Sequence, residues 1–494
     1  MQSEIIHSVM PLLAVLVSLA AFPIIASSDK SPNVREAWTF VAAGVKFLIV
    51  LSMLPAVLSG AEYAFTLAEV APGVSIAFRV DALGMLFALV SSSLWILTSM
   101  YSIGYMRAEN EHSQTRYFCF FALALSATVG VAFSANLLTM YLFYEMLSLA
   151  TYPLVTHHQD KESKTSGRKY LLYIMGTSIG FALPAMLITY MQAGTLTFSP
   201  EGVFDGTQGV VLLTSLLLLF IFGFAKAGVM PFHSWLPAAM VAPTPVSALL
   251  HAVAVVKVGA FSIVRVVTGI FGADLLSGHD LGILVAVIAS ITLIGGSLIA
   301  LSQDSLKRRL AFSTIAQLSY IVLGMGLISA AGWKGSFLHI VMHAFGKITL
   351  FFCAGAIFVA TGKKYISQMV GVGRRMPVTM TAFFLGALSI IGMPPGSGFL
   401  SKWFLAMGAL QTDQIIFLIV LLVSSFLNAC YFIPIVYRAF FCTPRESAHE
   451  EKISEAPLAC VIPLCITAII SVVLLFYPQP FADLADLAIT AIFQ

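Results

Sequence analysis

Charged residues are scarce in this sequence of 494 residues. Lys, Arg, Asp and Glu together make up 10% of it, whereas soluble domains carry roughly 25%. Hydrophobic residues make up 59%, and the mean hydropathy is +0.95. A chain of this composition cannot turn most of its surface toward water. The composition therefore excludes an ordinary soluble protein and indicates a polytopic membrane protein.

Several other signals are also missing. The six cysteines show no CxxC spacing and mostly lie in apolar runs, so we interpret them as small hydrophobic residues and not as disulfides or metal ligands. No nucleotide, flavin or metal motif is present, so we expect no cofactor and no redox chemistry in this chain. The net charge of +3 gives no reason to expect nucleic acid or another acidic partner. The N-terminus lacks the basic stretch of a signal peptide, so the first apolar segment is expected to be a retained helix.

Apolar stretches of about 20 residues, the length that crosses a bilayer as a helix, recur along the chain. They predict an all-α membrane protein with fourteen transmembrane helices. A tight turn over residues 134–136 must separate the fourth span from the fifth, and two long spans carry internal prolines. The predicted spans are 6–26, 36–58, 80–105, 115–134, 135–156, 168–193, 208–239, 242–270, 280–302, 308–330, 335–360, 377–410, 413–440 and 456–477.

The distribution of basic residues predicts the orientation. With fourteen spans, the odd-numbered connections share one side of the membrane. That side carries eighteen Lys and Arg, including Arg445 and Lys452 in the last connection, and the other side carries two, Arg79 and Lys334. Because basic loops stay cytoplasmic, both termini are expected to lie outside.

A few charged residues remain inside the predicted spans. A charge at the centre of a membrane helix costs about 2.5–3.5 kcal/mol, so each must be paired, hydrated or neutral. Glu145 is the one acidic residue deep in a span, and Asp81 lies near a span end. Lys46 and Arg265 lie where a long side chain could snorkel toward an interface, so we expect structural roles for them. The six basic residues are Lys46, Lys226, Lys257, Arg265, Lys347 and Lys402.

The four central lysines suggest proton handling, because a single glutamate cannot neutralise them all. The alternative is that Glu145 and one lysine form a structural ion pair that holds helices together.

Histidines accompany these lysines. His339, His343 and Lys347 are spaced i, i+4 and i+8, which places them along one stripe of a helix. A neutral imidazole can pass a proton between neighbours. A His-x-x-x-His pair can also bind a metal, but no acidic or thiol ligand accompanies this one. His251 precedes Lys257 in the eighth span, where a buried core histidine is the alternative interpretation.

Two long spans are interrupted in a similar way. The stretch FGFAKAGVMPFHSWLPAAM at 222–240 combines prolines and glycine with Lys226, and IGMPPGSGFLSKW at 391–403 combines them with Lys402. Paired breaks in corresponding positions predict an inverted-repeat transporter with its site at the breaks. The repeats would be spans 4–8 and 9–13, with helices 7 and 12 broken. The expected parts of the chain are 1–114, 115–270, 271–441 and 442–494.

Three segments resemble the proton-translocating antiporter-like membrane subunits: FAKAGVMPFHSWLPAAMVAPTPVSALLHAVAVVKVG, SLKRRLAFSTIAQLSYIVLGMG and MPPGSGFLSKW. This family includes the D-type subunit of the Mrp multisubunit sodium/proton antiporters and the large membrane subunits of respiratory complex I and membrane-bound hydrogenases. The resemblance runs over about residues 65–440 and is strongest to the D-type subunit. The chain length and Lys402 suit that subunit, although one complex I relative shares the lysine.

The resemblance implies a role for each matching residue. Glu145 and Lys226 match the ion pair between the fifth and seventh helices, which makes Lys226 a proton-bearing switch. Lys257 matches the central lysine of the eighth helix, with His251 as its neighbour. The residues implied to continue the proton relay are His339, His343, Lys347 and Lys402.

Three functions remain open at this point. The chain is a subunit of a sodium/proton antiporter, a proton-pumping subunit of a redox enzyme, or a structural membrane anchor. The resemblance implies a bacterial cell membrane, partner membrane subunits in a hetero-oligomer, and protons and Na⁺ as the transported ions.

Overall fold

The computed structural model of the chain describes residues 4–443 and 453–493. Arg445 and Lys452, two of the basic residues assigned to the cytoplasmic side, lie outside the described residues. Within the described part, ten helices are long and apolar enough to cross a membrane. This confirms the predicted polytopic all-α class, while the count of fourteen spans stays a prediction.

Helices cover most of the predicted spans, many of them within a few residues of the predicted bounds. The fourth span ends and the fifth begins around Asn136, whose side chain caps the new helix by accepting a hydrogen bond from the Thr139 N–H at 2.8 Å. This confirms the predicted tight turn. The helices are α1 (Met10–Ser27), α2 (Pro32–Leu58), α3 (Ala82–Ala108), α4 (Gln114–Ala132), α5 (Leu137–Val155), α6 (Lys161–Ala193), α7 (Val210–Gly223), α8 (Thr244–Phe271), α9 (Leu281–Ser302), α10 (Leu306–Gly326), α11 (Ala330–Thr361), α12 (Pro377–Ile391), α13 (Gly398–Gln411), α14 (Ile415–Phe441), α15 (Leu458–Phe476) and α16 (Phe481–Ile492).

A small sheet, which the sequence analysis did not predict, is formed by one strand before α1 and two strands between α2 and α3. Its strands are β1 (Ile5–His7), β2 (Glu62–Ala71) and β3 (Val74–Val80). β2 lies in the middle, parallel to β1 and antiparallel to β3. The sheet is joined to the α4–α5 turn, because the Arg79 N–H donates to the Phe133 carbonyl oxygen at 2.7 Å.

The first break is more extensive than predicted. After α7 the chain forms a 3₁₀ turn, Ala225–Ala227, and then Gly228 adopts the left-handed conformation with φ +72°. The prediction that a helix continues to residue 239 is wrong. Only a single α-helical turn, Trp235–Ala238, follows before a short 3₁₀ turn, because prolines around this segment remove the backbone donors that a longer helix needs.

The second break matches its prediction. α12 ends at Ile391, the following Gly392 has φ +85°, and α13 begins at Gly398. The two interrupted spans are therefore confirmed. Their assignment to two inverted five-helix repeats, and the division of the chain into four parts, stay predictions.

The centre of the bundle is α8, which is buried along its whole length. It contains a π-helical segment, Leu249–Val253, a form that often marks functional sites in helices. α8 also lies very close to the first break: a Cβ added to Gly259 would come 2.1 Å from the backbone nitrogen of Ala227. Glycine at 259 therefore allows the turn that carries Lys226 to pack directly on α8.

The predicted orientation can be tested by cysteine labelling. Glu162 is exposed at the start of α6, on the side predicted to be cytoplasmic, and Asp205 is exposed in the connection between α6 and α7 on the other side. In intact cells, an impermeant maleimide is expected to label Asp205→Cys and to leave Glu162→Cys unlabelled, with the wild-type chain giving the background from native cysteines. The opposite pattern would reverse the orientation.

Candidate functional site

Lys226 lies at the first helix break, where its side chain is completely buried. The Nζ atom donates to the Tyr144 carbonyl oxygen at 2.9 Å and to the Ser148 hydroxyl at 2.7 Å, both on α5. It also lies 3.1 Å from the centre of the Tyr144 ring, where the face of the ring attracts a cation. The break in the span therefore brings the ammonium against α5 without exposing it to lipid.

The expected direct contact between Lys226 and Glu145 is not present in this structure. Among residues 4–443 and 453–493, no carboxylate lies within 4 Å of Lys226 Nζ. Both Glu145 carboxylate oxygens are buried and lack a hydrogen-bond partner within that same part of the chain. Lys226 instead donates hydrogen bonds to the carbonyl of Tyr144, the residue next to Glu145, and to the hydroxyl of Ser148, one helical turn further along α5. The structure thus places the two residues on adjoining elements without a direct contact between their charged groups.

Lys257 is in direct contact with a histidine. Its Nζ lies 2.7 Å from Nδ1 of His343, and both side chains are buried. Either group can carry the proton in this hydrogen bond. The contact joins the lysine of α8 to the histidine stripe of α11.

His251, which the resemblance implied to be a neighbour of Lys257, makes no direct hydrogen bond to that lysine. Both of its ring nitrogens are buried and have no hydrogen-bond partner in the described residues, and the ring packs against Phe351. The histidine bound to Lys257 is His343. The six-residue spacing from His251 to Lys257 crosses the π-helical segment and an irregular residue, Ala254, so sequence distance did not predict which side chains meet.

His339 continues the line from His343, one helical turn away. The two rings are nearly parallel, with their centres 5.9 Å apart. His339 Nδ1 is hydrogen-bonded to the Ser401 hydroxyl on α13 at 2.8 Å, and the Tyr320 ring lies 5.4 Å from the His339 ring. This confirms that the spacing of His339 and His343 puts them on one stripe.

Lys402 lies beyond Ser401 and Tyr320 at the second break. Its Nζ donates to the Ile390 and Ile391 carbonyl oxygens at 2.9 and 3.0 Å, and it lies 4.2 Å from the centre of the Tyr320 ring. These carbonyls are at the C-terminal end of α12, where the helix dipole favours a cation. Lys402 is half-buried, unlike the other central lysines.

Lys347 is linked to the Ile390 carbonyl, which also accepts from Lys402, through a chain of hydrogen-bonded side chains. Its Nζ donates to the Ser313 hydroxyl at 2.8 Å, and the Tyr431 hydroxyl lies 2.9 Å from that oxygen. Tyr431 is also hydrogen-bonded to Asn428, whose amide donates to the Ile390 carbonyl at 3.5 Å. The side chains of α10, α11 and α14 thus link Lys347 to the position of Lys402.

Lys46 and Arg265 are buried in the protein, so the prediction that they snorkel toward an interface is wrong. Lys46 Nζ donates to the Leu125 carbonyl oxygen at 2.7 Å and its side chain is 0% exposed. Arg265 forms two hydrogen bonds to Asp81, at 2.5 and 2.6 Å, which fits the structural role expected for it. Neither contacts the line of lysines and histidines.

Sequence reasoning missed the hydroxyl side chains that connect these groups. Serine, threonine and tyrosine are common in the spans, and many of them only bond to a carbonyl of their own helix, as Thr98 does to Leu94. The hydroxyls that contact the lysines and His339 cannot be distinguished from these by sequence. They are Ser148, Ser313, Ser401 and Ser425.

The fold and the site define a class of protein. Its members are membrane proteins of many helices, with two broken helices and a line of buried lysines and histidines. Within that class, the chain belongs to the family described as NADH:quinone oxidoreductase/Mrp antiporter, which matches residues 134–428. A second match, described as the N-terminus of chain 5 of NADH-ubiquinone oxidoreductase (complex I), covers residues 71–118.

Related proteins include both antiporter and oxidoreductase subunits. The A-type subunit of a Na⁺/H⁺ antiporter from Alkalihalophilus pseudofirmus is 32% identical over 446 residues, which is 83% of this chain and 53% of that protein. The chain therefore spans about half the length of this relative. The N-type subunit of an NADH-quinone oxidoreductase from Desulforudis audaxviator is 32% identical over 406 residues, or 79% of this chain and 80% of that protein.

Two solved structures share the fold over almost the whole chain. One is the Mrp complex from Dietzia sp. DQ12-45-1b, with a TM-score of 0.86 and 22% identity, covering 98% of this chain and 97% of that one. The other is the membrane-bound sulfane sulfur reductase, an archaeal respiratory membrane complex, with a TM-score of 0.87 and 23% identity over 99% and 98% of the two chains.

Proposed function

We propose that this chain is the proton-translocating subunit of a multisubunit Na⁺/H⁺ antiporter. The observation that carries the proposal is the 2.7 Å contact between Lys257 and His343 in the buried centre of the bundle. A buried lysine that is hydrogen-bonded to a neutral imidazole can exchange a proton with it, which a purely structural ion pair between two fixed charges does not require. The residues that we assign to the path are Glu145, Lys226, Lys257, His251, His339, His343, Lys347 and Lys402.

Lys226 acts as a switch in this proposal. With Glu145 close, the carboxylate favours the protonated lysine, and two opposite charges about 4 Å apart interact by roughly 4 kcal/mol at an effective dielectric of 20. When the pair is open, as in this structure, the ammonium keeps only the neutral oxygens of Tyr144 and Ser148. The lysine then holds its proton less tightly. Opening and closing of the pair therefore changes Lys226 from a proton holder into a proton donor.

The proton next passes to the second half of the chain. Gly259 lets the turn bearing Lys226 pack against the helix bearing Lys257. From Lys257 the path follows His343 and His339 and reaches Lys402 past Ser401 and Tyr320. His251 has two buried nitrogens free of partners in the described residues, and buried polar atoms normally bind water or protein. Water held by His251 would widen the path around Lys257.

Lys347 places a second charge near Lys402, the end of the proposed path. Lys347 is connected to the Ile390 carbonyl, an acceptor of Lys402, through Ser313, Tyr431 and Asn428. Protonation of one of these lysines disfavours protonation of the other, because like charges repel in a medium of low dielectric. This repulsion would help to release the proton from Lys402, the more exposed of the two.

The second candidate is a proton-pumping subunit of a redox-driven complex, which the similarity to the NADH-quinone oxidoreductase relative favours. The D-type antiporter subunit remains our more specific assignment, because Lys402 in the second broken helix suits it. In either case we infer that the chain works with other membrane subunits in a bacterial cell membrane, with both termini outside.

An imposed pH gradient separates the two candidates. Everted vesicles that contain the complete complex are given a pH gradient by dilution, without any electron donor. Addition of Na⁺ is expected to dissipate the gradient in these vesicles and to leave it unchanged in vesicles that lack this chain. Indifference to Na⁺, together with proton movement that starts only when an electron donor is supplied, would instead establish the redox-driven function.

A further inference from the structure

Three histidines surround one glutamate at a membrane surface, away from the line of lysines. Glu111 and His112 lie in the connection between α3 and α4, and His157 and His158 follow α5. Both connections are on the side predicted to be cytoplasmic. None of these residues belongs to the motifs that indicate the family function.

The distances match a set of ligands for one metal ion. Glu111 Oε2 lies 3.6 Å from His157 Nε2 and 3.9 Å from His112 Nδ1, and Oε1 accepts a hydrogen bond from His158 at 3.2 Å. Glu111, His112 and His157 each offer one ligand atom, and these three atoms lie within 4.8 Å of one another. Ligands at about 2 Å from a tetrahedral ion are separated by roughly 3.3 Å. Small side-chain rotations would therefore bring the cluster to that geometry.

His157 supplies an independent indication that a ligand binds here. Its side chain is 0% exposed, and neither ring nitrogen has a hydrogen-bond partner in the described residues. Buried polar atoms without a partner are rare, and each calls for an explanation such as an ion. The ring nevertheless faces the carboxylate of Glu111, so an ion between the two would satisfy both.

The charges around the cluster are mixed. Arg116 donates to the His157 carbonyl oxygen at 2.7 Å, on the backbone side of that residue, and Lys307 is a second cation close enough to act on Glu111 and His158. Asp160 and Glu109 add negative charge nearby.

We propose that Glu111, His112, His157 and His158 form a binding site for a borderline divalent transition metal of the Zn²⁺ class. Imidazole nitrogens with one carboxylate suit Zn²⁺ and Co²⁺, whereas Mg²⁺ and Ca²⁺ require mostly oxygen ligands. The bound ion would tie the α3–α4 connection to the end of α5, the helix that carries Glu145. The proposal does not depend on which ion the protein transports.

Cobalt binding tests the site without any measurement of transport. The purified complex is titrated with Co²⁺ in excess Mg²⁺, and the visible spectrum of tetrahedral Co²⁺ is expected to appear and to disappear when Zn²⁺ is added. His112→Ala and Glu111→Gln should each weaken the affinity at least about tenfold, since even loss of an outer-shell partner of a metal site costs that much. His279→Ala, in a distant connection, is the matched control and should bind Co²⁺ as the wild type does.

The His112 side chain is half-exposed, so its replacement should not disturb packing. The His112→Ala variant therefore tests the site even if changes at the buried His157 prevent folding. An octahedral spectrum in the wild type, or equal Co²⁺ affinity in His112→Ala, Glu111→Gln and His279→Ala, would overturn the proposal. A loss of affinity confined to the two cluster variants would establish it.

Discussion

Replacement of Lys257 by methionine is expected to lower Na⁺-driven proton movement at least about a hundredfold, the lower end of what a positioned proton-transfer group contributes. Methionine has a similar length but no titratable group, so it cannot exchange a proton with His343. The helix should remain folded, because the change removes a charge from a completely buried position. The measurement is the rate of pH-gradient dissipation in vesicles that contain equal amounts of assembled complex.

Lys46→Met is the matched control for this experiment. Lys46 is as deeply buried as Lys257 and has one hydrogen bond, to the Leu125 carbonyl, but it lies outside the proposed path. We expect this variant to assemble and to transport at near the wild-type rate, whereas Lys402→Met should resemble Lys257→Met. Normal transport in Lys257→Met would remove that lysine from the path, and equal loss in Lys46→Met would point to a general effect of buried lysines on assembly.

The second large effect concerns Glu145 and Lys226. Glu145→Gln is expected to abolish transport while leaving the complex assembled, because the carboxylate makes no hydrogen bond to a described residue that the change would break. Without the carboxylate, Lys226 loses the interaction that makes it hold a proton. Assembly is measured by co-purification of the partner subunits, and activity by dissipation of the pH gradient.

A double variant separates the switch from a structural pair. Glu145→Gln with Lys226→Met replaces both charges with neutral groups of similar size, so a role in assembly alone would be restored together with transport. In the switch proposal the double variant assembles and stays inactive, since residue 226 can no longer carry a proton. Recovery of transport in the double variant would refute the switch.

The sequence predicted the helices and their breaks because both have strong local causes. A run of apolar residues is required wherever a helix faces lipid. The clusters of prolines and glycines at 228–237 and 392–398 remove backbone donors and favour turns, so they interrupt their spans. Glu145, Lys226 and Lys402 stand out for the same reason, since a charge in such a run is costly and rarely accidental.

The remaining features depend on contacts that no local pattern encodes. β1 has only three residues, and its pairing with β2 joins residues far apart in the chain. His343, and not His251, meets Lys257 because the packing of α8 against α11 decides it. The open state of Glu145 and Lys226 is likewise a matter of side-chain conformation, which the two residue types cannot fix.

The contacts of Lys402 limit what mutagenesis can find. Two of its three hydrogen bonds go to the backbone carbonyls of Ile390 and Ile391, which are present whatever side chains occupy those positions. A scan that replaces side chains one at a time would leave these two acceptors intact, and would find only the side-chain partners of the lysine, Ser425 and Tyr320. A change to the backbone itself would reveal the role of these carbonyls. An ester bond in place of the amide that contains the Ile391 carbonyl would weaken its hydrogen bond to Lys402, because an ester oxygen is a weaker acceptor.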